Sequence, residues 1–262
     1  MHPMLNTAVK AARKAGTIIM RYSQQLDRLA VETKGRNDFV TEVDRMAEAE
    51  IMDTLHRAYP DHAILAEESG SHASGDYRWI IDPLDGTTNF LHGYPQYAVS
   101  IALEHRGKLD QAVVFDPLRN ELFTASRGRG AQLNERRIRV SKTRALGSAL
   151  LGTGFPFKSR ERLEDWITIF RELISHSSGV RRAGSAALDL AYIACGRLDG
   201  FWEFGLKPWD MAAGCLLIQE AGGMMSEIDG GRGFMDSGDL LAGSPRIHEH
   251  MLQRIRPLLQ QA

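Results

Sequence analysis

The sequence predicts a mixed fold, α+β in its first part and α/β in its second. Three observations predict it: helical apolar spacing over the first sixty residues, a train of short β-type runs from Ala63 to about Arg139, and alternating strand-like and helix-like segments from Ala149 onward. The composition shifts near Ser141 to Gly147. This gives an expected division into an N-terminal part, residues 1–143, and a C-terminal part, residues 144–262.

In the N-terminal part, Leu5, Ala8, Val9, Ala12, Ile19 and Tyr22 follow helical spacing. Lys10, Arg13, Lys14 and Arg21 with no acid among residues 1–26 also match the composition of an organellar presequence, but the amphipathic period favours a core-facing helix. Residues 31–40 are polar and Gly-containing. Val43, Ala47, Ile51, Leu55 and Tyr59 then recur every four residues in a second helix, ended by Tyr59-Pro60. The runs AILAEE, YRWIID, YAVSIALEH, QAVVFD and ELFTAS, separated by Asp116-Pro117 and similar turn signals, predict a largely antiparallel sheet.

The C-terminal part predicts strands at Ala149 to Gly154, near Val180 and at Gly200 to Phe204. Between and after them come helices over Arg160 to His176, Ser185 to Cys195 and Pro208 to Ala221, the last capped by Gly222-Gly223. Two further strands precede a final helix after Pro245. The chain carries no internal repeat.

With 32 Lys+Arg against 33 Asp+Glu the formal charge is -1, which excludes polyanion binding driven by overall charge. Two cysteines, Cys195 and Cys215, in small apolar surroundings read as buried free thiols of a reducing cytoplasm. No apolar run reaches the roughly 18 residues of a membrane span, so no membrane partner is expected. A Walker-type phosphate loop, a nucleophile elbow and an H-E-x-x-H metal motif are all absent from the sequence. His248 and His250, two apart on one helix, read as solvated, and Phe201, Trp202 and Phe204 as core and pocket wall.

The chemistry gathers at WIIDPLDGTTNF, residues 79–90. One strand delivers Asp82 and, three residues on, Asp85, followed by Gly86-Thr87-Thr88 in a turn; another run ends in Glu67 and Glu68. Two unit charges about 4 Å apart repel by roughly 4 kcal/mol at an effective dielectric near 20. Four carboxylates at one sheet end must therefore diverge, take up protons or share a cation. Oxygen ligands specify a hard ion, Mg²⁺ or Ca²⁺, and backbone N–H groups of Gly86 and Thr87 after the acids suit an anion. The plain alternative is a set of turn acids, since Asp-Gly is a common turn dipeptide. Asp44, after Thr41, and Asp210, after Pro208-Trp209, stand at helix starts; spacing alone does not decide whether they cap those helices or join the site.

Glu67-Glu68-Ser69, the 79–90 segment and Trp209-Asp210-Met211-Ala212-Ala213-Gly214 together resemble the signatures of the inositol monophosphatase family, most of all its bacterial SuhB-type branch. The resemblance runs from Lys34 to Gly222-Gly223 and implies a layered αβαβα sandwich and an Mg²⁺-dependent, lithium-sensitive phosphomonoesterase with two to three ions per site. By motif position it implies that Glu67, Asp82 and the carbonyl of Leu84 hold one ion, and Asp82, Asp85 and Asp210 a second. Glu67 would help hold a third, and Glu68 would assist the cluster. Thr87 and Asp44 would orient the attacking water, Gly86 and Thr87 would cradle phosphate, and Lys34 would lie on a mobile loop, although the spacing there differs by one residue. Around the leaving alcohol the resemblance places Asp85, Gly184, Ser185, Ala186, Glu203 and Asp210, which favours a polyol monophosphate such as inositol-1-phosphate, with other sugar or nucleotide phosphates as alternatives.

Energetics agree with a metal mechanism: phosphate-monoester hydrolysis calls for accelerations up to about 10²¹, whereas one general acid or base supplies only about 10²–10⁴. The resemblance also implies a homodimer, and a second class of function as a binding partner of RNA polymerase or a Nus factor in ribosomal RNA transcription. Arg127, Arg129, Arg136, Arg137 and Arg139, with Arg181-Arg182, are the basic segments available for that role; as isolated charges they read as a solvated face.

Overall fold

The structure is a computed structural model that describes residues 2–26, 31–35, 38–157 and 160–259. Five layers are built from three apolar seams. Helices α1 (Pro3–Tyr22) and α2 (Glu42–Ala58) follow the expected periods, and their Leu5, Ala12, Ile19, Val43, Ile51 and Leu55 are buried. Between them, β1 (Val31–Gly35) and β2 (Asp38–Thr41) pair antiparallel, strands that the polar sequence did not announce.

The first sheet has eight strands in the order β10-β9-β8-β7-β6-β5-β3-β4: β3 (Ala63–Ala66), β4 (Gly70–His72), β5 (Tyr77–Asp85), β6 (Ala98–His105), β7 (Lys108–Asp116), β8 (Glu121–Ser126), β9 (Gly130–Leu133) and β10 (Arg136–Arg137). It is antiparallel except where β3 runs parallel to β5. The two-residue period of a strand sends alternate side chains to opposite faces. Trp79 and Ile81 accordingly pack under α1 and α2, while Ile80 between them faces the other way.

That second face is covered by α5 (Ala186–Ala194) and α6 (Pro208–Ala221), which are sandwiched against a second sheet. A helix between two sheets has no solvent side, which explains why α6 is buried from Met211 through Ile218. The second sheet holds β11 (Leu150–Thr153), β12 (Gly179–Arg181), β13 (Gly200–Glu203), β14 (Met224–Ser226) and β15 (Leu240–Gly243) in the order β12-β11-β13-β15-β14. Its outer face packs on α4 (Leu163–Ile174) and α8 (Pro245–Leu259) through Leu151, Trp202, Ile169 and Met251. The expected αβαβα layering is the observed one. Short helices α3 (Thr87–Leu91) and α7 (Phe234–Ser237) complete the chain.

Two expectations are corrected. His248 is not solvated: it is buried on α8 with Nε2 2.9 Å from Ser226 Oγ, because its face of the helix turns onto the second sheet. The segment after Asp85 is not a simple turn, since Gly86, at φ 96°, caps the single-turn helix α3.

Candidate active site

Parallel pairing of β3 with β5 sets Ala66 against Ile81, so that Glu67, whose N–H donates to the Ile81 carbonyl at 3.1 Å, stands abreast of Asp82. Both strands thus deliver an acid at the same end. The pairing of β5 with β6 then slips between Asp82 and Asp85, where Pro83 lacks an N–H for the ladder, and this irregularity re-aims the strand end. The Asp82 carboxylate accepts from the Leu84 N–H at 3.0 Å. Asp85 reaches across the sandwich to the start of α5, accepting from the Ser185 hydroxyl at 2.6 Å and the Ala187 N–H at 2.8 Å.

These groups line a cavity of about 420 Å³ together with Glu67, Leu84, Gly86, Thr87, Gly184, Ala186, Glu203 and Asp210. Its walls come from both sheets and from the first turns of α5 and α6. Asn89 ties the two halves: its amide donates to the carbonyls of Gln96 at 2.7 Å and Ala183 at 2.9 Å. A Cβ on Gly86 would lie 2.8 Å from the Gln96 carbonyl oxygen, and one on Gly154 would overlap the Glu203 carboxylate, so both glycines permit close approaches at the site.

Asp44 and Asp210 both cap helices; Asp210 also lines the cavity, and Asp44 lies behind it, bonded to Thr87. Asp44 Oδ2 accepts from the Thr41 N–H at 2.8 Å in a reciprocal capping box, while its Oδ1 accepts from the Thr87 hydroxyl at 3.0 Å. The same hydroxyl lies 3.1 Å from the Leu84 carbonyl. Asp210 accepts from the Lys207 N–H at 2.7 Å and lines the cavity.

Burial dominates the electrostatics. It raises Asp82 well above the usual carboxylate range, aided by repulsion from Glu67, Asp85 and Asp210, and pushes Asp85 up to about 7, with Asp210 adding to the shift. Burial also raises Asp44, opposed by its bonds from Thr41 and Thr87. Glu203 is raised by burial and by Asp210, with Arg182 opposing; it is a pocket group rather than a surface acid.

The described placement differs from expectation in three respects. Glu68 does not line the cavity; its N–H is held by the Glu48 carboxylate at 2.8 Å. Lys34 lies on β1 with its side chain outside the described residues. Arg182, read as half of a solvated doublet, lines the cavity and lays its guanidinium 5.0 Å from the Phe155 ring centre and 5.4 Å from that of Phe157. Asp189, buried on α5, also lines the cavity and went unread in the sequence, where it stands inside the apolar run AALDLAYIA. Nothing in local spacing distinguishes it.

The donor set consists of carboxylates that burial and mutual repulsion make costly to ionise, which is the chemistry that a hard dication relieves. Among the described residues no group of three or more His, Cys, Asp or Glu is arranged to hold an ion as it stands. Asp82, Asp85 and Asp210 each spend an oxygen on a backbone N–H. The residues fit the ion in kind.

The chain is 54% identical over 265 residues to the Nus factor SuhB of Pseudomonas aeruginosa, a match covering 99% of this chain and 98% of that protein. Among solved structures, the extragenic suppressor protein SuhB of Bartonella henselae superposes with a TM-score of 0.94 at 43% identity, covering 97% of this chain and 99% of that one. An inositol monophosphatase from Anabaena superposes at 0.87 with 40% identity, covering 98% and 95%. The family model of the inositol monophosphatases matches residues 1–260, and with the layered sandwich and the carboxylate-lined cavity between its sheets it establishes that the chain belongs to the inositol monophosphatase family.

Proposed function

We propose that the protein hydrolyses a polyol or sugar monophosphate, with inositol-1-phosphate the leading candidate, by direct attack of water in a Mg²⁺-dependent reaction. The observation that carries this reading is the meeting of Glu67, Asp82, Asp85 and Asp210 in one cavity with Thr87, whose hydroxyl is bonded to Asp44 behind it. When bound there, Mg²⁺ would supply charge neutralisation at the phosphoryl oxygens, activation of water and stabilisation of the departing alkoxide. Glu67, Asp82, Asp85, Asp210 and the Leu84 carbonyl are the groups that would hold it.

The protein's own part follows from geometry. The Thr87 hydroxyl has one hydrogen, drawn to Asp44 or to the Leu84 carbonyl, which leaves oxygen lone pairs to accept from a water on the cavity side. A proton leaving that water passes to Thr87 Oγ1 as the Thr87 proton moves to Asp44 Oδ1. Gly86 and Thr87 N–H groups would receive the phosphate, and Glu203, with Gly184, Ser185 and Ala186, would receive hydroxyls of the alcohol. Ala186 keeps that wall free of bulk.

Activity on a panel of phosphate monoesters, measured with and without Mg²⁺ and with added Li⁺, tests the proposal. Mg²⁺-dependent, Li⁺-inhibited turnover of inositol-1-phosphate supports it; metal-independent turnover refutes it. In oxygen-18 water the label is expected in phosphate, and label in the alcohol would refute attack at phosphorus.

A second role, in a cytoplasmic transcription complex with RNA polymerase or a Nus factor, is favoured by the Nus-factor name of the Pseudomonas relative. An Asp85→Ala variant that fully restores a deletion phenotype would show that this role does not need catalysis. The homodimer is tested by the solution mass.

A further inference from the structure

The far edge of the first sheet carries a charge pattern that the phosphatase site does not use. Residues 127–144 hold seven cations, Arg127, Arg129, Arg136, Arg137, Arg139, Lys142 and Arg144, against one acid, Glu135. The fold concentrates them. The turn from β8 to β9 is pinned by Glu220 of α6, whose carboxylate accepts the Gly128 and Gly130 N–H groups at 2.7 Å each. Pairing of β10 with β9 then sets Arg137 against Gln132 and carries its guanidinium over Gly130, with Nε and Nη2 each 3.2 Å from where a Cβ would stand, beside Arg129.

The acids nearby are already engaged. Asp110 pairs with Arg127 at 2.9 Å, while Glu220, bonded to the two neutral glycine N–H groups, keeps its charge and offsets one cation of the turn. Elsewhere arginines are commonly matched, as Arg119 is with Asp116, Arg197 with Glu121 and Arg254 with Glu172. Arg129, Arg136, Arg137, Arg139, Lys142 and Arg144 are all exposed and make no ion pair among the described residues. Arg129 on the turn, Arg136 and Arg137 on β10 and Arg139 just beyond it share this edge, repel one another and gain from an external polyanion.

The segment itself offers a protein partner little to pack on. A protein–protein interface is organised around an apolar centre, and no large apolar side chain between residues 127 and 144 is exposed, although Met224, next to Gly223 at Val140, is. Because β10 is the outermost strand, its outer backbone N–H and C=O groups have no strand partner. A ribose 2′-hydroxyl, which both donates and accepts, matches such an edge, whereas deoxyribose does not.

We propose that the edge formed by Arg129, Arg136, Arg137 and Arg139 binds single-stranded RNA through its phosphates. The proposal does not depend on the phosphatase reading. Each phosphate neutralised on a single strand contributes about −0.7 to the slope of log K against log salt, so four contacts give a slope near −3.

Fluorescence anisotropy of a labelled single-stranded RNA 20-mer, titrated with the full-length protein across a salt series, reads that slope. The R129A/R136A/R137A variant is expected to bind at least tenfold more weakly with a slope shallower by about 2. R136K/R137K should keep the slope, and phosphatase activity should be unchanged in both. Failure of the wild-type protein to bind at low salt, an unaltered slope in the triple variant, or equal binding of DNA of the same sequence would overturn the proposal. Preferential capture of an acidic peptide over RNA would assign the edge to a protein partner and overturn it equally.

Discussion

Replacing Thr87 by Val removes one hydroxyl from the proposed water path with little change of shape. The structure sets the cost. Asp44 keeps both bonds from Thr41 but loses the donor to its Oδ1, and a buried acceptor left unpaired costs about 1–3 kcal/mol. For a chain of this size each kcal/mol shifts Tm by about 2–4 °C, so a fall of roughly 2–12 °C is expected. A role confined to stability would end there. A hydroxyl that relays the proton of the attacking water contributes at the transition state as well, and general acid–base steps are worth about 10²–10⁴.

Steady-state kinetics with saturating Mg²⁺ should therefore show kcat reduced by at least about 100-fold, near 2.7 kcal/mol, with KM little changed. Thr87→Ser, which restores the hydroxyl, should return kcat to within about tenfold of wild type. A Thr87→Val enzyme with near-normal kcat and a lowered Tm would refute the relay and leave Thr87 a structural bond to α2.

Glu203→Ala should raise KM for inositol-1-phosphate while Asp85→Ala abolishes turnover; equal, small effects in the same assay would sink both assignments. Gly86→Ala forces a side chain into a left-handed conformation, about 1–2 kcal/mol, and against the Gln96 carbonyl oxygen at 2.8 Å, so it should lower Tm and activity together, and an unchanged melting curve would contradict this. Burial holds His248 below its ordinary pKa near 6.5, so the unfolded chain binds the proton more readily; stability should fall as pH drops through about 6.5, and His248→Gln should flatten that part of the Tm–pH curve. Asp85 runs the other way, because a pKa raised to about 7 makes ionisation costly and stability is lost as pH rises towards that value. Mg²⁺ should consequently raise Tm more at pH 8 than at pH 6, and Asp85→Asn should reduce the increment.

Legibility in the sequence followed the physical range of each signal. Strands β3 and β5 to β8 were readable because both faces of the sheet are covered there, which gives apolar runs such as Ala98–His105, whereas β4, β9 and β10, with the sequences GSH, GAQL and RR, carry no such run. The β1–β2 pair was not readable either, since VETKG and DFVT carry no sustained apolar run. Gly86 signalled a break, but Thr87–Leu91 is too short for a helical period to show. Acids at strand ends could be anticipated because the motif holds them close in sequence. Arg182 could not, because what distinguishes it from Arg181 is contact with Phe155 and Phe157 some 25 residues away, and Asp189 is marked only by the cavity beside it.

Asp44 and Asp210 sharpen the relation between folding and chemistry. At the sequence level capping and site membership were competing readings, yet a carboxylate has two oxygens, and in Asp44 one caps α2 while the other holds Thr87. The cap fixes the rotamer from which the second oxygen reaches the site. A capping interaction of about 1 kcal/mol helps offset the cost of carrying the acid into a buried place, where alone it would be driven towards protonation. Asp85 is held in the same manner by the first turn of α5 and Asp210 by that of α6, so the helix starts that assemble the sandwich also supply N–H groups to the acids between its sheets. A substitution at such a position cannot be read from activity alone. Loss of the cap and loss of the site coincide, and only a measurement that separates stability from turnover, as for Thr87 beside them, tells the two apart.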